Sequence, residues 1–151
     1  MGLFSAARQG KRDDTELGKG VWRRAHDRFQ RGLDRFHQML EGVAEQGRAR
    51  EAAYEQIVPV ANALAELLPQ VRALCVTAQQ RGPSLGMDIP AGDGGSLSDA
   101  HRELSRAGNA LAAAAEAVAM VRLGVGDVAA VERRAAIVHD HIARAAELLD
   151  R

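Results

Sequence analysis

The chain has 151 residues, a length that suits one domain whose core is large enough to fold without disulfides or a metal. Apolar residues make up 46% and charged residues 26%, which excludes a disordered chain, while aromatic residues make up only 3%. The formal charge is zero overall, but residues 1–50 carry +4 and residues 51–151 carry −4. The first third therefore has the composition to meet an anionic surface.

Composition also limits the fold class, the cellular location and the source that we expect for the protein. The 29 alanines favour closely packed helices over sheets. Because Cys75 is the single cysteine, an intramolecular disulfide and a multi-cysteine zinc site are excluded. The sequence shows no secretory signal and no apolar run of membrane-spanning length, so we expect a cytoplasmic protein. The preference for arginine over lysine, 18 to 2, suggests a bacterial source.

Residues 1–20 contain Gly10, Gly18 and Gly20, a run of mixed charge at residues 11–14, and few apolar residues. We expect a flexible basic tail here, followed by a single helical domain over 21–151. From residue 22 the apolar side chains recur at spacings of four and three, which predicts one apolar stripe on a helix over 21–46. The stripe consists of Trp22, His26, Phe29, Leu33, Phe36, Leu40 and Val43.

The same register continues to residue 78 and is interrupted only around Gly47. Two alternatives follow: one helix of about 60 residues, some 90 Å long, or two helices that reverse direction near Gly47. We favour a reversal or a sharp kink, because glycine is a poor residue in a helix interior. The second helix then covers 49–81, and Pro59 and Pro69 should bend it.

Residues 82–97 are rich in glycine and proline and predict a long loop. Two more apolar stripes predict helices over 98–122 and 127–150, separated by a turn at residues 124–126, with Asp127 as the N-cap of the last helix. The sum is an all-α fold. It is either a four-helix up-down bundle or a pair of long bent hairpins that is completed by dimerisation.

The third predicted helix is apolar on nearly every side, since Glu116 is its only polar residue between positions 110 and 121. Such a helix is covered from several directions. It is therefore either the central helix of a monomer or an interface with a second copy or another protein. The residues that we expect on such an interaction face are Leu111, Ala114, Ala115 and Val118.

A row of arginines at spacings of four, three and four lies on one face of the first predicted helix: Arg24, Arg28, Arg31 and Arg35. A basic amphipathic helix of this kind can dock on an anionic membrane or on nucleic acid. Nucleic acid is the weaker target, because aromatic residues that stack on bases are scarce. The alternative interpretation is a solvated surface, partly neutralised by an ion pair between Asp27 and Arg31.

The histidines are the remaining candidates for chemistry. His37 shares a helical face with Asp34 and Glu41, but the Glu-x-x-His motif of two-metal helical bundles is absent from the sequence, so we predict no metal site. His26 falls on the apolar stripe and predicts a buried, hydrogen-bonded core residue. Cys75 also lies on the stripe, which should keep its thiol protonated and inert.

The segment 101–109 resembles the phosphohistidine helix of histidine phosphotransfer domains, which are also four-helix bundles. Those domains place a basic residue three positions after the histidine, where this chain has Leu104 after His101. We therefore assign no phosphotransfer role to His101.

The sequence predicts neither a catalytic residue nor a cofactor, since the glycine motifs of nucleotide-binding folds and the nucleophile motifs of hydrolases are absent from it. We expect a non-enzymatic helical interaction or scaffolding module that binds another protein or itself, as a homodimer or larger homo-oligomer. The alternative is a peripheral binder of an anionic membrane surface through the basic N-terminal third.

Overall fold

The computed structural model describes residues 2–150, all of which lie in helices or in the turns between them. Met1 and Arg151, the outermost residues of the predicted tail and domain, lie outside the described residues. The prediction of an all-α fold is confirmed, since this part of the chain contains no strand. None of its helices is both long and apolar enough to cross a lipid bilayer.

Within residues 2–150, six α-helices follow one another, with short 3₁₀ turns over Gly47–Arg50 and Asp93–Gly95. They are α1 (Leu3–Leu17), α2 (Val21–Ala44), α3 (Glu51–Ala65), α4 (Leu67–Arg81), α5 (Ser96–Arg122) and α6 (Val128–Leu149). If α3 and α4 are counted as one rod, each of the four helices predicted from the sequence begins and ends within two residues of an observed one.

The interruption between α3 and α4 is local. Glu66 keeps helical backbone angles, and its N–H still bonds to the carbonyl of Asn62 at 3.1 Å. Pro69 has no N–H to give to the carbonyl four residues before it, at Ala65, and so breaks the hydrogen-bond ladder at this point. Pro59 lies inside α3 and leaves the helix continuous.

The reversal favoured near Gly47 is present. Gly47 has φ +64°, a left-handed conformation that glycine adopts without a steric cost, and it separates α2 from α3. Trp22 at the start of α2 donates its indole N–H to the carbonyl of Gly82, just after α4, at 2.9 Å. The rod formed by α3 and α4 therefore runs back along α2.

The N-terminal segment differs from the expected flexible tail, because residues 3–17 form α1. This helix packs against α4 and α2, and Leu17 at its end is fully buried. Ion pairs hold it on α4: the carboxylates of Asp13 and Glu16 lie 2.7 and 2.8 Å from the guanidinium of Arg72. The expectation of a flexible tail rests on the few apolar residues of this segment. Apolar content does not indicate ion pairs, and ion pairs hold this helix on its neighbours.

The order of the helices in space differs from their order in the chain. The ring of Trp22 lies 5.7 Å from that of His101, so α2 and α5 begin at the same end. At the other end Arg50, just before α3, donates from Nε to the carbonyl of Val121 in α5 at 3.1 Å. Apart from α3 and α4, which form one rod, consecutive helices are thus antiparallel, while α2 and α5 are parallel neighbours, and α6 packs against α5 and against the α3–α4 rod.

One hydrophobic core runs through all of these helices. Helix α5 lies between α2 and α6, and the residues expected on its interaction face, Leu111, Ala114, Ala115 and Val118, are all fully buried. That expectation is corrected: these side chains are used inside the chain and are closed to a partner. At the α2–α5 contact a Cβ built on Gly32 would lie 2.7 Å from Leu111 Cδ2, so glycine permits the two helices to approach closely.

Candidate functional site

The arginine row lies along the seam between α2 and α5, and all four side chains are exposed. The two ends of the row have different surroundings. Arg24 and Arg28 bond to neighbouring backbone and side chains, whereas Arg31 and Arg35 have no hydrogen bond or ion pair within residues 2–150. The predicted pair between Asp27 and Arg31 is wrong, because Asp27 bonds to Arg23 at 3.0 Å instead.

At the first end of the row the arginines hold the 82–95 loop and α5. Arg24 donates to the carbonyl of Gly86, and Arg28 donates to the side-chain oxygen of Asn109 and to the carbonyl of Ser105, the last at 3.4 Å. Carboxylates of residues 2–150 form no ion pair with either guanidinium. Both groups therefore keep their positive charge without compensation.

Between these arginines and α5 lies a cavity of about 210 Å³, which we call the seam cavity. Its lining includes Arg24, Ala25, Arg28, Met87, His101 and Leu104. His101 is half-buried, and burial together with the charge of Arg24 lowers the pKa of its imidazole. The cavity thus combines an apolar floor, two guanidinium groups and a histidine that favours its neutral form.

The loop above the seam cavity is anchored by buried polar contacts. Besides the Trp22 indole bond to Gly82, the hydroxyl of Ser84 accepts the N–H of Val21 at 3.1 Å and donates to the carbonyl of Asp88 at 3.1 Å. Ser84 is itself buried. These bonds fix the loop over the start of α2 and leave Met87 exposed at its edge.

At the second end of the row a wider groove of about 500 Å³ opens between α2, α5 and the start of α6, and we call it the methionine groove. Its lining includes Arg35, Met39, Ala119, Met120, Val125 and Arg134. Large apolar side chains are exposed on this side: Met120 is 45% exposed, and in the α5–α6 turn Leu123 is 70% and Val125 68% exposed.

Small residues and two helix ends shape the methionine groove. Alanines of α5 and α6, whose side chains are short, line the groove together with Met39 and Met120. The turn that carries Val125 is fixed by bonds from the N–H groups of Val125 and Gly126 to the carbonyl of Met120, each at 3.1 Å. Asp127 caps α6 as predicted, since its carboxylate accepts the N–H of Ala130 at 2.8 Å. Met120 and Val125, which form the apolar wall of the groove, are therefore held in place by backbone hydrogen bonds.

A second charged cluster joins α1 to the helices beneath it. Asp13 lies 2.7 Å from Arg72 and accepts a bond from Gln9 at 2.8 Å, and Arg23 bonds to Asp14 at 2.9 Å. Burial raises the pKa of the Asp13 carboxyl, but these hydrogen bonds and the neighbouring arginines outweigh it and hold that pKa below its usual value. The cluster is saturated by its own ion pairs and holds α1 in place.

Two predictions about buried groups on the α2 and α4 stripes are confirmed. His26 is buried, and its Nδ1 lies 2.9 Å from the carboxylate of Asp27. Burial raises the pKa of the Cys75 thiol to about 12, so it remains protonated. The Cys75 thiol is fully buried, whereas His26, which is 4% exposed, borders a cavity that Gln9, Asp13 and Arg72 also line.

Two of the other histidines, His37 and His141, are held by contacts with neighbouring groups. His37 bonds through Nδ1 to the carbonyl of Leu33 at 2.8 Å, away from the two acidic residues that share its face. His141 on α6 lies 2.6 Å from Glu103 on α5, a pair that no sequence spacing signalled. Burial raises the pKa of Glu103, yet the bond from His141 and the charges of His141, Arg106 and Arg144 together outweigh it and lower that pKa. Across positions 2–150, three or more potential metal ligands do not cluster at any point.

No protein-family model, no curated protein and no solved structure gives a significant match to this chain. The geometry of the α2–α5 seam is therefore the basis for the function that follows.

Proposed function

We propose that the protein is a non-enzymatic interaction module, which docks an acidic amphipathic helix of another protein into the methionine groove. In this proposal α2, the α3–α4 rod, α5 and α6 form a four-helix bundle that serves as a rigid scaffold, in the cytoplasm of a bacterium. The observation that carries the proposal is an exposed apolar groove whose arginines, Arg35 and Arg134, form no ion pair within residues 2–150.

The apolar wall supports a protein partner. Met120 and Val125 line the groove with exposed side chains, and Leu123 in the α5–α6 turn is exposed as well. Contiguous apolar surface with a polar rim is typical of interaction sites. Methionines adapt their shape to a partner, and a groove between helices suits an amphipathic helix that inserts anchors spaced three and four residues apart. The groove volume of about 500 Å³ has room for such anchors.

The rim selects the charge of that partner. Arg35 lines the groove, Arg31 lies one turn before it on α2, and Arg134 faces it from α6. Glu116 is the one acidic residue that contributes to the described lining. The excess of positive charge favours a helix that carries Asp or Glu beside its apolar anchors, and such pairing raises the association rate and the specificity.

A second copy of this chain fits the groove less well than another protein. A two-fold symmetric contact brings the same patch of both subunits together, and here it would place the arginine rims of Arg35 and Arg134 against each other. The exposed apolar tip of α1 carries Arg8 and Lys11 and is also positive. Homodimerisation through the groove is therefore an outcome that would contradict this proposal.

The proposal is tested with two synthetic amphipathic helices that share the same leucine and methionine anchors. One carries glutamates on its flanks and the other lysines. Fluorescence anisotropy measures their binding to the full chain, and sedimentation measures self-association. We expect the acidic peptide to bind at least about tenfold more tightly, which corresponds to about 1.4 kcal/mol. Equal binding of the two peptides, or a dimer that competes with them, would contradict the proposal.

A matched pair of variants locates the site. Val125→Asp places a carboxylate in the apolar wall and should weaken binding of the acidic peptide by at least about tenfold. Leu85→Asp makes the same change at an apolar residue 83% exposed in the 82–95 loop, at the opposite end of the bundle, and should leave binding unchanged. If Leu85→Asp weakens binding as much as Val125→Asp, the groove is not the site.

One observation favours a second candidate function, docking on an anionic membrane. At the start of α1, Leu3 and Phe4 are 89% and 82% exposed beside Arg8 and Lys11. Apolar side chains next to basic ones suit the interface of an anionic bilayer. Sedimentation with phosphatidylserine vesicles tests it: Phe4→Glu should abolish binding, while Arg24→Gln should not. Binding that survives Phe4→Glu would contradict this candidate.

A further inference from the structure

We infer that the seam cavity binds a small amphipathic carboxylate, a monoanion with a short apolar tail. This inference concerns a different site from the methionine groove and stands independently of the proposed interaction. It follows from the charge, the lining and the size of the cavity.

The charge of the seam cavity is positive and uncompensated. A guanidinium has five N–H donors. Arg24 uses one of them on Gly86, and Arg28 uses two on Ser105 and Asn109, all with uncharged acceptors. The donors that remain can bind a carboxylate in the fork geometry that arginine favours. Asp88 in the loop above forms no ion pair with either arginine inside the described range.

The rest of the lining is apolar and suits a hydrocarbon tail. Ala25 on α2 and Leu104 on α5 form the floor, and Met87 and Ile89 of the loop lie at the edge with exposed side chains. A tail that bridges floor and edge would remove apolar surface from water on both sides. Inorganic phosphate, which has no tail, would leave this part of the cavity unused.

The size of the cavity limits the ligand to a small molecule. Its volume of about 210 Å³ is below the roughly 300–1,000 Å³ of pockets that hold drug-sized compounds. One wall is His101, whose imidazole packs edge-on against Trp22 at 5.7 Å and faces Arg24. In its neutral form this ring has one N–H donor, which adds to the donors around the carboxylate.

The test compares four probes by NMR titration of the full chain: hexanoate, 1-hexanol, acetate and inorganic phosphate. Signals of the Met87 methyl group and the His101 ring report on the cavity. We expect hexanoate to bind at least about tenfold more tightly than each of the other three, because it alone combines charge and tail. Binding of hexanol or acetate equal to that of hexanoate would overturn the inference. Phosphate binding at least as tight would also overturn it, in favour of a tail-free anion site.

Two double variants test where hexanoate binds. Both alter exposed residues, so we expect the fold to be unchanged. The double variant Arg24→Gln with Arg28→Gln removes both charges and should weaken hexanoate binding at least about tenfold. Its charge-matched control is Arg48→Gln with Arg133→Gln, two exposed arginines away from the cavity, which should bind hexanoate as the parent chain does. Circular dichroism checks the fold of each variant.

A substitution in the loop gives a second, independent check. Met87→Asp removes an apolar contact and adds a repelling charge at the cavity edge, whereas Leu85→Asp changes the same loop outside the lining. We expect at least about tenfold weaker hexanoate binding only for Met87→Asp. Equal effects of the two loop variants, or of the two arginine pairs, would overturn the assignment to the seam cavity.

Discussion

The two ends of the arginine row differ although the sequence spaces all four residues alike. Around Arg24 and Arg28 the 82–95 loop closes over the α2–α5 seam, and a small cavity remains beneath it. Around Arg35 the seam opens into a wider groove of about 500 Å³, which is lined by alanines, Met39 and the exposed Met120. Spacing therefore places residues on one face of a helix, while the neighbouring elements decide whether that face borders a small cavity or a wide groove.

The largest expected effect on stability distinguishes the end of the row at Arg24 and Arg28, where the 82–95 loop is anchored, from the end at Arg35, where the methionine groove lies. We call these the anchored end and the open end. Trp22 is fully buried and bonded to Gly82, so Trp22→Ala should lower the free energy of unfolding by about 3–5 kcal/mol. Met39→Ala in the open groove should cost less than about 1 kcal/mol, since this side chain is only partly buried. Urea denaturation followed by circular dichroism measures both. Similar costs at the two sites would contradict the comparison.

The seam itself can be disturbed where α2 and α5 approach most closely. Gly32→Ala brings a methyl group against the buried Leu111 side chain and should cost about 1–3 kcal/mol through overpacking. The control is Gly10→Ala in α1, where a Cβ meets no atom within 4 Å, and there alanine should be neutral or stabilising. Thermal unfolding measures the two variants. A Gly32→Ala protein as stable as the parent would mean that the two helices are not in close contact.

Replacing each arginine pair by glutamine in a separate variant compares the two ends of the row most directly. Arg24→Gln with Arg28→Gln should weaken hexanoate binding about tenfold and leave acidic-peptide binding unchanged. Arg31→Gln with Arg35→Gln should have the opposite pattern, and it should also reduce the dependence of peptide binding on salt. Each pair is titrated with both ligands. A single pair that controls both ligands would mean that the row acts as one surface.

The smallest effect concerns pH at the anchored end. The pKa of His101 is lowered in the folded chain, so the unfolded chain binds a proton more readily. Stability is therefore highest when this histidine is neutral, and it should fall as the pH drops below about 6.5. His101→Gln should flatten this part of the pH profile of the melting temperature. An unchanged profile would show that His101 is not under the influence of burial and Arg24.

The helices could be predicted because their signals are local. Spacings of three and four gave the bounds of four helical rods to within two residues, and Gly47 and Asp127 marked a reversal and a cap by their own chemistry. The burial of His26 and Cys75 followed from their places on the apolar stripes. Local sequence also indicated the long loop, since glycine and proline dominate it.

The features that could not be predicted depend on contacts between distant residues. Helix α1 is held by Asp13 on Arg72, and no periodicity reports such a pair. The closed face of α5 could not be distinguished from an open one, because an apolar helix looks the same whichever helix covers it. Both the seam cavity and the methionine groove exist because α2 and α5 are neighbours, and that pairing joins residues far apart in the chain.

The central claim is that the methionine groove docks an acidic amphipathic helix of another protein. Photo-crosslinking in source cells tests it most directly, with a photoreactive residue in place of Val125 and, as the control, in place of Leu85. The account predicts adducts from position 125 alone, whose attachment sites map to a helical segment of a different protein with acidic residues beside apolar anchors. Equal adducts from both positions, attachment to a second copy of this chain, or attachment to a basic segment would contradict it.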